Sequence, residues 1–541
     1  MTRLGAIVVS AVTAGCGPLA TPGLSCSEAF PCAVLPGPGS PDWSEAEDRP
    51  LLLLAERVER QHRLLNGSTG SFPAVVVLSS SDWRALSTAV LGGHDPWPNA
   101  PHARLGDFYG RLGYAGLELG ASAIRHRLLL EARAVVDLDA ADLRDQMARA
   151  RGTLVQDILC VNRAFEVTGT SSVAARKVFV EHDRPRVPFP EAHERVPLFD
   201  ATGLPQPPLG PAGSKPRSWR EGRGPPSLGP WQDGVANVDL LGFAVGAALA
   251  VEAAEADRGL GPQEAVEVLR TFAAGLLGQL RTLRDDGRDL EYRELDGRPT
   301  PRTQLRPEDD VATPGFRVAI ALGLSASLAR VTGRTEDQTF AASLPNRPRW
   351  LAWLEELAVQ INSGPPSSRM SEIFWAFIAL WAIDRYHPDA RVAAGARAAR
   401  DALYAPSTDT FFRPDVLEVP PLDVIAFESL ESAEGRVSAR DRVRAALLRL
   451  GPAPLLVRRR PACTDAACRP PTPNHALLTR SAPVLVEPAL PLEIRGVGLF
   501  EWTLDPHRID RDGLVYGEIE IAPPTAFRWA YWLGRLTRVA P

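Results

Sequence analysis

Residues 373–383 read IFWAFIALWAI and are apolar on every side of a helix. Such a helix has no polar face for water, so in a globular chain it must be enclosed by other helices. The stretch VDLLGFAVGAALAV, from Val238, makes the same demand until Glu252 ends it. Both runs fall short of the ~20 apolar residues that cross a bilayer, and beyond the N-terminus no segment is expected to span one. More polar helices stand beside them. After Gly259 and Gly261 break the first helix, Pro262 sits at a favourable first helical position. Val266, Leu269, Ala273, Leu276, Leu280 and Leu283 then repeat at the helical period. In TPGFRVAIALGLSASLARVTG, Thr313 is an N-cap, Pro314 starts the helix and Gly333 stops it. Pro388 splits a further pair.

Apolar, small-residue-rich helices thus alternate with more polar ones. The alternation resembles α/α toroids and barrels, whose inner helices are ringed by outer ones. That resemblance implies a mainly α fold, irregular and toroid-like. The spacing between pairs is too uneven for a true repeat, and an irregular helical bundle is the competing architecture. The chain divides into an N-terminal helical region over 49–182, a Pro/Gly/Arg-rich linker or loop over 183–230, a central helical region over 231–455 and a mixed β/α region over 456–541. In the N-terminal region Asp107 is placed to cap a long helix. In the last region LEIRGVGLFEWTL and GLVYGEIEIA read as strands of a small hairpin, followed by the helix TAFRWAYWLGRL.

Residues 1–15, MTRLGAIVVSAVTAG, carry one positive charge, Arg3, before a short apolar run. This is the pattern of an export signal. Ala14 and Gly15 directly precede Cys16, which resembles the lipobox of bacterial lipoproteins, with Thr13 in place of the usual aliphatic residue. The resemblance implies that Cys16 is lipidated and becomes the mature N-terminus, holding the protein on a membrane of the bacterial cell envelope. Gly17 is not the Asp that keeps many lipoproteins at the inner membrane, so the outer membrane is expected. Plain cleavage after Ala14, or a buried N-terminal segment, are the alternatives. Residues 16–48, rich in Pro, Gly and Ser, read as a flexible tether.

The remaining cysteines agree with export. Cys26 with Cys32 and Cys463 with Cys468 are close pairs in Pro-rich segments, expected as disulfides of an oxidising compartment. Cys160 lies on the apolar face of a helical pattern and is expected as a buried thiol. CTDAAC has only His475 nearby, so no metal site is expected. A net charge of −5 without a long basic run speaks against nucleic acid as a partner. No nucleophile elbow, H-E-x-x-H, phosphate loop or dinucleotide fingerprint occurs, so no cofactor is expected.

Two constellations carry the possible chemistry. Asp233, Asp239, Asp310 and Glu372 stand near the starts of apolar helices, with Trp231 and Trp375 close by. Where inner-helix ends converge, such carboxylates serve as general acid and base on a sugar, with Trp stacked on its ring. Plain capping of helix N-termini accounts for the same residues. In the second constellation a strand places Tyr516 and Glu518 on one face, beside a helix bearing Arg528 and Trp532. These are candidates to line a groove for a glycan or an envelope protein; filling a core is the alternative. Two functions follow: a non-catalytic envelope scaffold or binding module, or a carbohydrate-active hydrolase, lyase or epimerase.

Overall fold

The computed structural model describes residues 35, 37, 43–65, 76–78, 88–89, 94, 104–105, 112–131, 140–180, 201–202, 204, 219–223, 228–257, 263–300, 303–310, 312–362, 370–405, 419–427, 433–450, 457–459, 519–521 and 525–536. The protein is mainly helical. Its helices are α1 (Asp48–Leu65), α2 (Leu112–Leu130), α3 (Ala140–Glu166), α4 (Asn237–Ala256), α5 (Gln263–Arg281), α6 (Pro314–Thr332), α7 (Thr335–Ser343), α8 (Trp350–Glu355), α9 (Leu357–Asn362), α10 (Met370–Tyr386), α11 (Ala390–Tyr404), α12 (Pro420–Ala426), α13 (Ala433–Leu450) and α14 (Thr525–Arg535).

The apolar helices form an inner tier. α2 packs on α4, α4 on α6, α6 on α10, α10 on α12, α12 on α14, and α14 returns to α2. The more polar helices lie outside: α3 against α2, α5 against α6, α11 against α10, and α13 against α12. α1 packs on α13 and α14, so the outer tier also returns to its start. This is the toroid-like alternation expected from the sequence. Its cause is simple: a helix without a polar face is stable only where neighbours cover every side. Ile373 to Ile383 are all buried, as that argument requires.

The inner helices α2, α4, α6, α10 and α14 run the same way. Thr525 and Trp529 of α14 meet Glu118 and Gly120 of α2, and Arg125 lies over the Trp532 ring. At the far end Glu252 of α4 accepts from Arg127 of α2 and Arg385 of α10. α2 and α4 touch backbone to backbone. A Cβ on Gly116 would lie 2.5 Å from Phe243 N and closer still to the Gly242 carbonyl, and one on Gly246 would strike the Gly116 carbonyl. Only glycine permits that approach.

α4 and α6 are long and apolar enough to cross a membrane by length and composition. This corrects the expectation that no such segment follows the N-terminus. Here both lie enclosed, with 89% and 83% of their most apolar windows buried.

Two small antiparallel sheets flank the helices. β3 (Lys177–Val180), β4 (Trp219–Arg220) and β5 (Leu228–Gln232) form one, with β5 central. β4 and most of β5 come from the Pro/Gly/Arg-rich stretch, which therefore contributes ordered strands. β1 (Val76–Leu78), β2 (Arg104–Leu105), β6 (Val457–Arg459) and β7 (Ile519–Ile521) form the other, in the order β2-β1-β7-β6. β7 is the strand expected near the C-terminus. Its described neighbours are β1, in the register Val76 to Ile521, and β6, in the register Val457 to Ile521. Asp107 and the other expected strand, 492–504, lie outside the described residues.

The disulfide expectation is corrected. Among the described residues no Sγ–Sγ pair occurs, and Cys160 is a buried cysteine outside any disulfide. Closeness in sequence does not suffice for a disulfide, which needs a specific approach of the two backbones. Cys16, Cys26, Cys32, Cys463 and Cys468 lie outside the described residues.

Candidate functional site

The N-terminal ends of α4 and α6 meet at one corner of the ring. Asn237 Nδ2, at the start of α4, donates to Gln304 O at 3.2 Å, and Arg317 Nη1, in the first turns of α6, donates to the same oxygen at 3.3 Å. Two expected carboxylates, Asp239 and Asp310, stand at these ends, and each already holds local partners.

Asp239 occupies the third position of α4. Its Oδ2 accepts from Ala236 N at 3.0 Å, and Arg176 Nε stands 3.9 Å away. Asp310 precedes α6. Its Oδ1 accepts from Ala312 N at 3.0 Å and Thr313 N at 3.1 Å, while Oδ2 accepts from Thr313 Oγ1 and from Arg317 Nε at 2.9 Å. Thr313 holds the N-cap position without a side-chain capping bond; Asp310 fixes the turn that leads into α6, and Gly315 N in its first turn donates to Gln360 Oε1 of α9 at 2.8 Å. Despite partial burial, these bonds and Arg317 keep Asp310 below the usual carboxylate range. Gly333 ends α6 in the left-handed region, at φ 64°. Glu372 sits in the first turn of α10, half-buried.

Asp233 has different company. It follows β5, fully enclosed, and accepts from Arg220 Nε of β4 at 2.9 Å. Opposite it stands a short hairpin, closed by a bridge between Arg293 and Pro299. Gly297 N donates to Glu294 O at 2.9 Å, with Gly297 at φ 81° in the turn. The hairpin is pinned from behind, because Tyr292 Oη accepts from Ala174 N at 2.9 Å and donates to Ala174 O. It thereby carries Glu294 and Asp296 to Asp233. Glu294 Oε1 accepts from Gly234 N and from Thr300 Oγ1, each at 3.0 Å. Its Oε2 is buried without a hydrogen-bond partner among the described residues. Arg298 closes the outer side: Nε donates to Asp296 Oδ2 at 2.6 Å, and Nη2 stands 3.8 Å from Asp233. Arg220 Nη2 lies 3.6 Å from Asp296.

The electrostatics single out Glu294. Burial, then the charges of Asp233 and Asp296, favour its neutral form, while the bonds from Gly234 and Thr300 oppose this; the balance lifts its pKa to about 7. A carboxyl near pH 7 beside an Arg-paired carboxylate is the arrangement that lets one group give a proton while the other stays charged. Sequence reasoning found Asp233 but missed Glu294, Asp296 and Arg220. Arg220 lay in a stretch read as linker, and the hairpin DLEYRELDGRPT offered only its Asp-Gly turn as a signal.

The expected aromatic wall lies elsewhere. Trp231 is fully buried, its indole N–H donating to Glu221 O at 3.0 Å. Trp375 packs inside the ring, its centroid 5.8 Å from that of Tyr114. Neither offers a face to a sugar. Arg528 and Trp532, expected beside a groove, are also buried. The amphipathic character of α14 serves an ionic seam within the ring, because its polar edge meets carboxylates on other helices and not solvent. Tyr516 and Glu518 lie outside the described residues. Among the described residues no group of three or more His, Cys, Asp or Glu is placed to hold a metal ion. In comparison with known proteins, the chain matches no family model, no curated relative and no solved structure.

Proposed function

We propose that this protein is an exported lipoprotein, held at the bacterial cell envelope by a lipid on Cys16, whose helical ring serves as a non-catalytic scaffold or binding module. One observation carries the non-catalytic part. Asp239 is committed to the N-cap backbone of α4, Asp310 to the turn before α6 and to Arg317, and Trp231 and Trp375 are sealed in the core. Groups spent on holding helix ends are not free to move protons on a substrate. The anchor rests on the charged start, the short apolar run and Ala14-Gly15-Cys16. Metabolic labelling with an alkynyl fatty acid tests it in a bacterial host. The wild-type chain takes up label and enters the membrane fraction. Cys16→Ser loses both, and equal labelling of that variant would refute the anchor.

A second reading is favoured by Glu294. Its pKa of about 7 beside Asp233 suits a general acid of a carbohydrate-active enzyme. Incubating the purified protein with a panel of envelope and plant glycans separates the two. Turnover that Asp233→Asn or Glu294→Gln abolishes, at unchanged melting temperature, would replace the scaffold reading. No turnover, with altered stability in the same variants, supports the scaffold.

A further inference from the structure

The ring closes where its first and last described helices meet, and the seam is ionic. On α14, Arg528 Nε and Nη2 donate to the two oxygens of Glu59 on α1, at 2.8 and 3.0 Å. Its Nη1 donates to Glu118 Oε2 on α2, and Nη2 also reaches Ser122 Oγ at 2.6 Å. Ser122 donates onward to Asp157 Oδ2 on α3, at 2.6 Å. Trp532 Nε1 donates to Glu59 Oε1 at 2.6 Å. The first three described helices and the last are thus joined by one buried network.

His62 sits in the middle of it, 1% exposed. Its Nε2 lies 3.0 Å from Asp157 Oδ1, and its Nδ1 lies 3.6 Å from Glu118 Oε2. Both ring nitrogens therefore face carboxylates, which only accept when ionised. A neutral imidazole has one N–H and satisfies one of them; an imidazolium has two. The charges agree. Glu59, Glu118 and Asp157 face Arg528 and Arg125, and a positive His62 brings the sum to zero. Glu56 sits at the rim, 3.4 Å from Arg125. Arg63, further along α1, has Arg60, Arg125 and Arg149 as its charged neighbours, with Glu59.

We propose that His62 is a proton-dependent latch on this seam: as the imidazolium it holds α1 against α2, α3 and α14, and on losing its proton it leaves a buried net negative charge that loosens α1 from the ring. The inference does not rest on the lipid anchor. If that anchor is present, α1 is the first long helix after the tether, so the latch sets how firmly the body is tied to it.

The titration has a definite sign. Burial and Arg528 oppose charge on His62, but Asp157 and Glu118 outweigh them, so its pKa is raised above the ordinary 6.5. Its stabilisation is complete below 6.5 and is lost as pH rises through the raised value. Burial also opposes charge on Glu59 and Asp157, yet the cations hold both low, Glu59 at about 2. These carboxylates lose their contribution only in acid. Burial lowers the pKa of His126 and of His387, so those two act in the opposite direction to His62.

Hydrogen exchange of the full chain between pH 6 and 9, corrected for intrinsic rates, tests the latch. The amides of 51–62 and 526–533 are compared with those of 373–383. In the wild type the relative protection of the seam falls about tenfold per pH unit, from pH 6.5 up to the midpoint of His62. His62→Gln abolishes that slope, and Asp157→Asn moves its midpoint down. A flat wild-type profile, or a slope that survives in His62→Gln, overturns the proposal. If His62→Gln does not fold, Asp157→Asn decides: an unmoved midpoint overturns the latch equally.

Discussion

Replacing Gly116 by Ala adds one methyl group where α2 and α4 meet. The new Cβ would lie 2.5 Å from Phe243 N, with the Gly242 carbonyl closer still, whereas ordinary contact begins at 3.4 Å. Backbone cannot rotate aside as a side chain does, so the two helices must part by about 1 Å at that point. Such a gap forfeits a quarter to a half of each neighbouring dispersion contact, and overpacking of this kind costs about 3 kcal/mol or somewhat more. Alanine's helix propensity returns about 1 kcal/mol, leaving a net loss of about 2 kcal/mol or more. Gly278→Ala supplies the contrast. A Cβ there meets nothing within 4 Å on α5, so only the propensity gain remains, about 0.5–1 kcal/mol of added stability. Urea unfolding followed by tryptophan fluorescence reads both variants. Equal stability of Gly116→Ala and the wild type, or an equal loss in both variants, would refute the account of how the inner helices pack.

Asp310→Ala removes two backbone acceptor bonds at the start of α6 and the Arg317 pair, so a loss of about 1–2 kcal/mol is expected, while Thr313→Ala costs less; thermal melts compare them. Because Glu294 holds its proton up to about pH 7, against 4.5 for an ordinary glutamate, folding stability falls by about 3 kcal/mol as pH rises across that window. Glu294→Gln removes this contribution, read as the difference between wild type and variant in denaturant titrations at pH 4.5 and 8. Arg528→Met leaves Glu59, Glu118 and Asp157 without their shared partner and is expected to destabilise by about 3–5 kcal/mol in chemical unfolding.

Much of the fold was legible in the chain. The identity of α4, α5, α6, α10 and α11, and the ends marked by Gly259, Pro262, Pro314, Gly333 and Pro388, followed from apolar period and from punctuation by Gly and Pro, which act over a few residues. The enclosure of Ile373–Ile383 followed from composition alone, since no polar face was on offer. The identity of Cys160 as a buried thiol was equally local. Function was a different matter. Asp233, Asp239 and Asp310 look alike in sequence, each an acid near an apolar helix. Tertiary structure separated them, by giving two of them backbone N–H groups to cap and setting the third beside Glu294. Glu59, His62, Glu118, Asp157 and Arg528 carried no shared sequence signal, because Arg528 is 469 residues from Glu59. Local pattern fixes which residues must be buried, since that depends on neighbours within a turn or two. Which buried charges meet depends on how the ring closes, and no local pattern contains that.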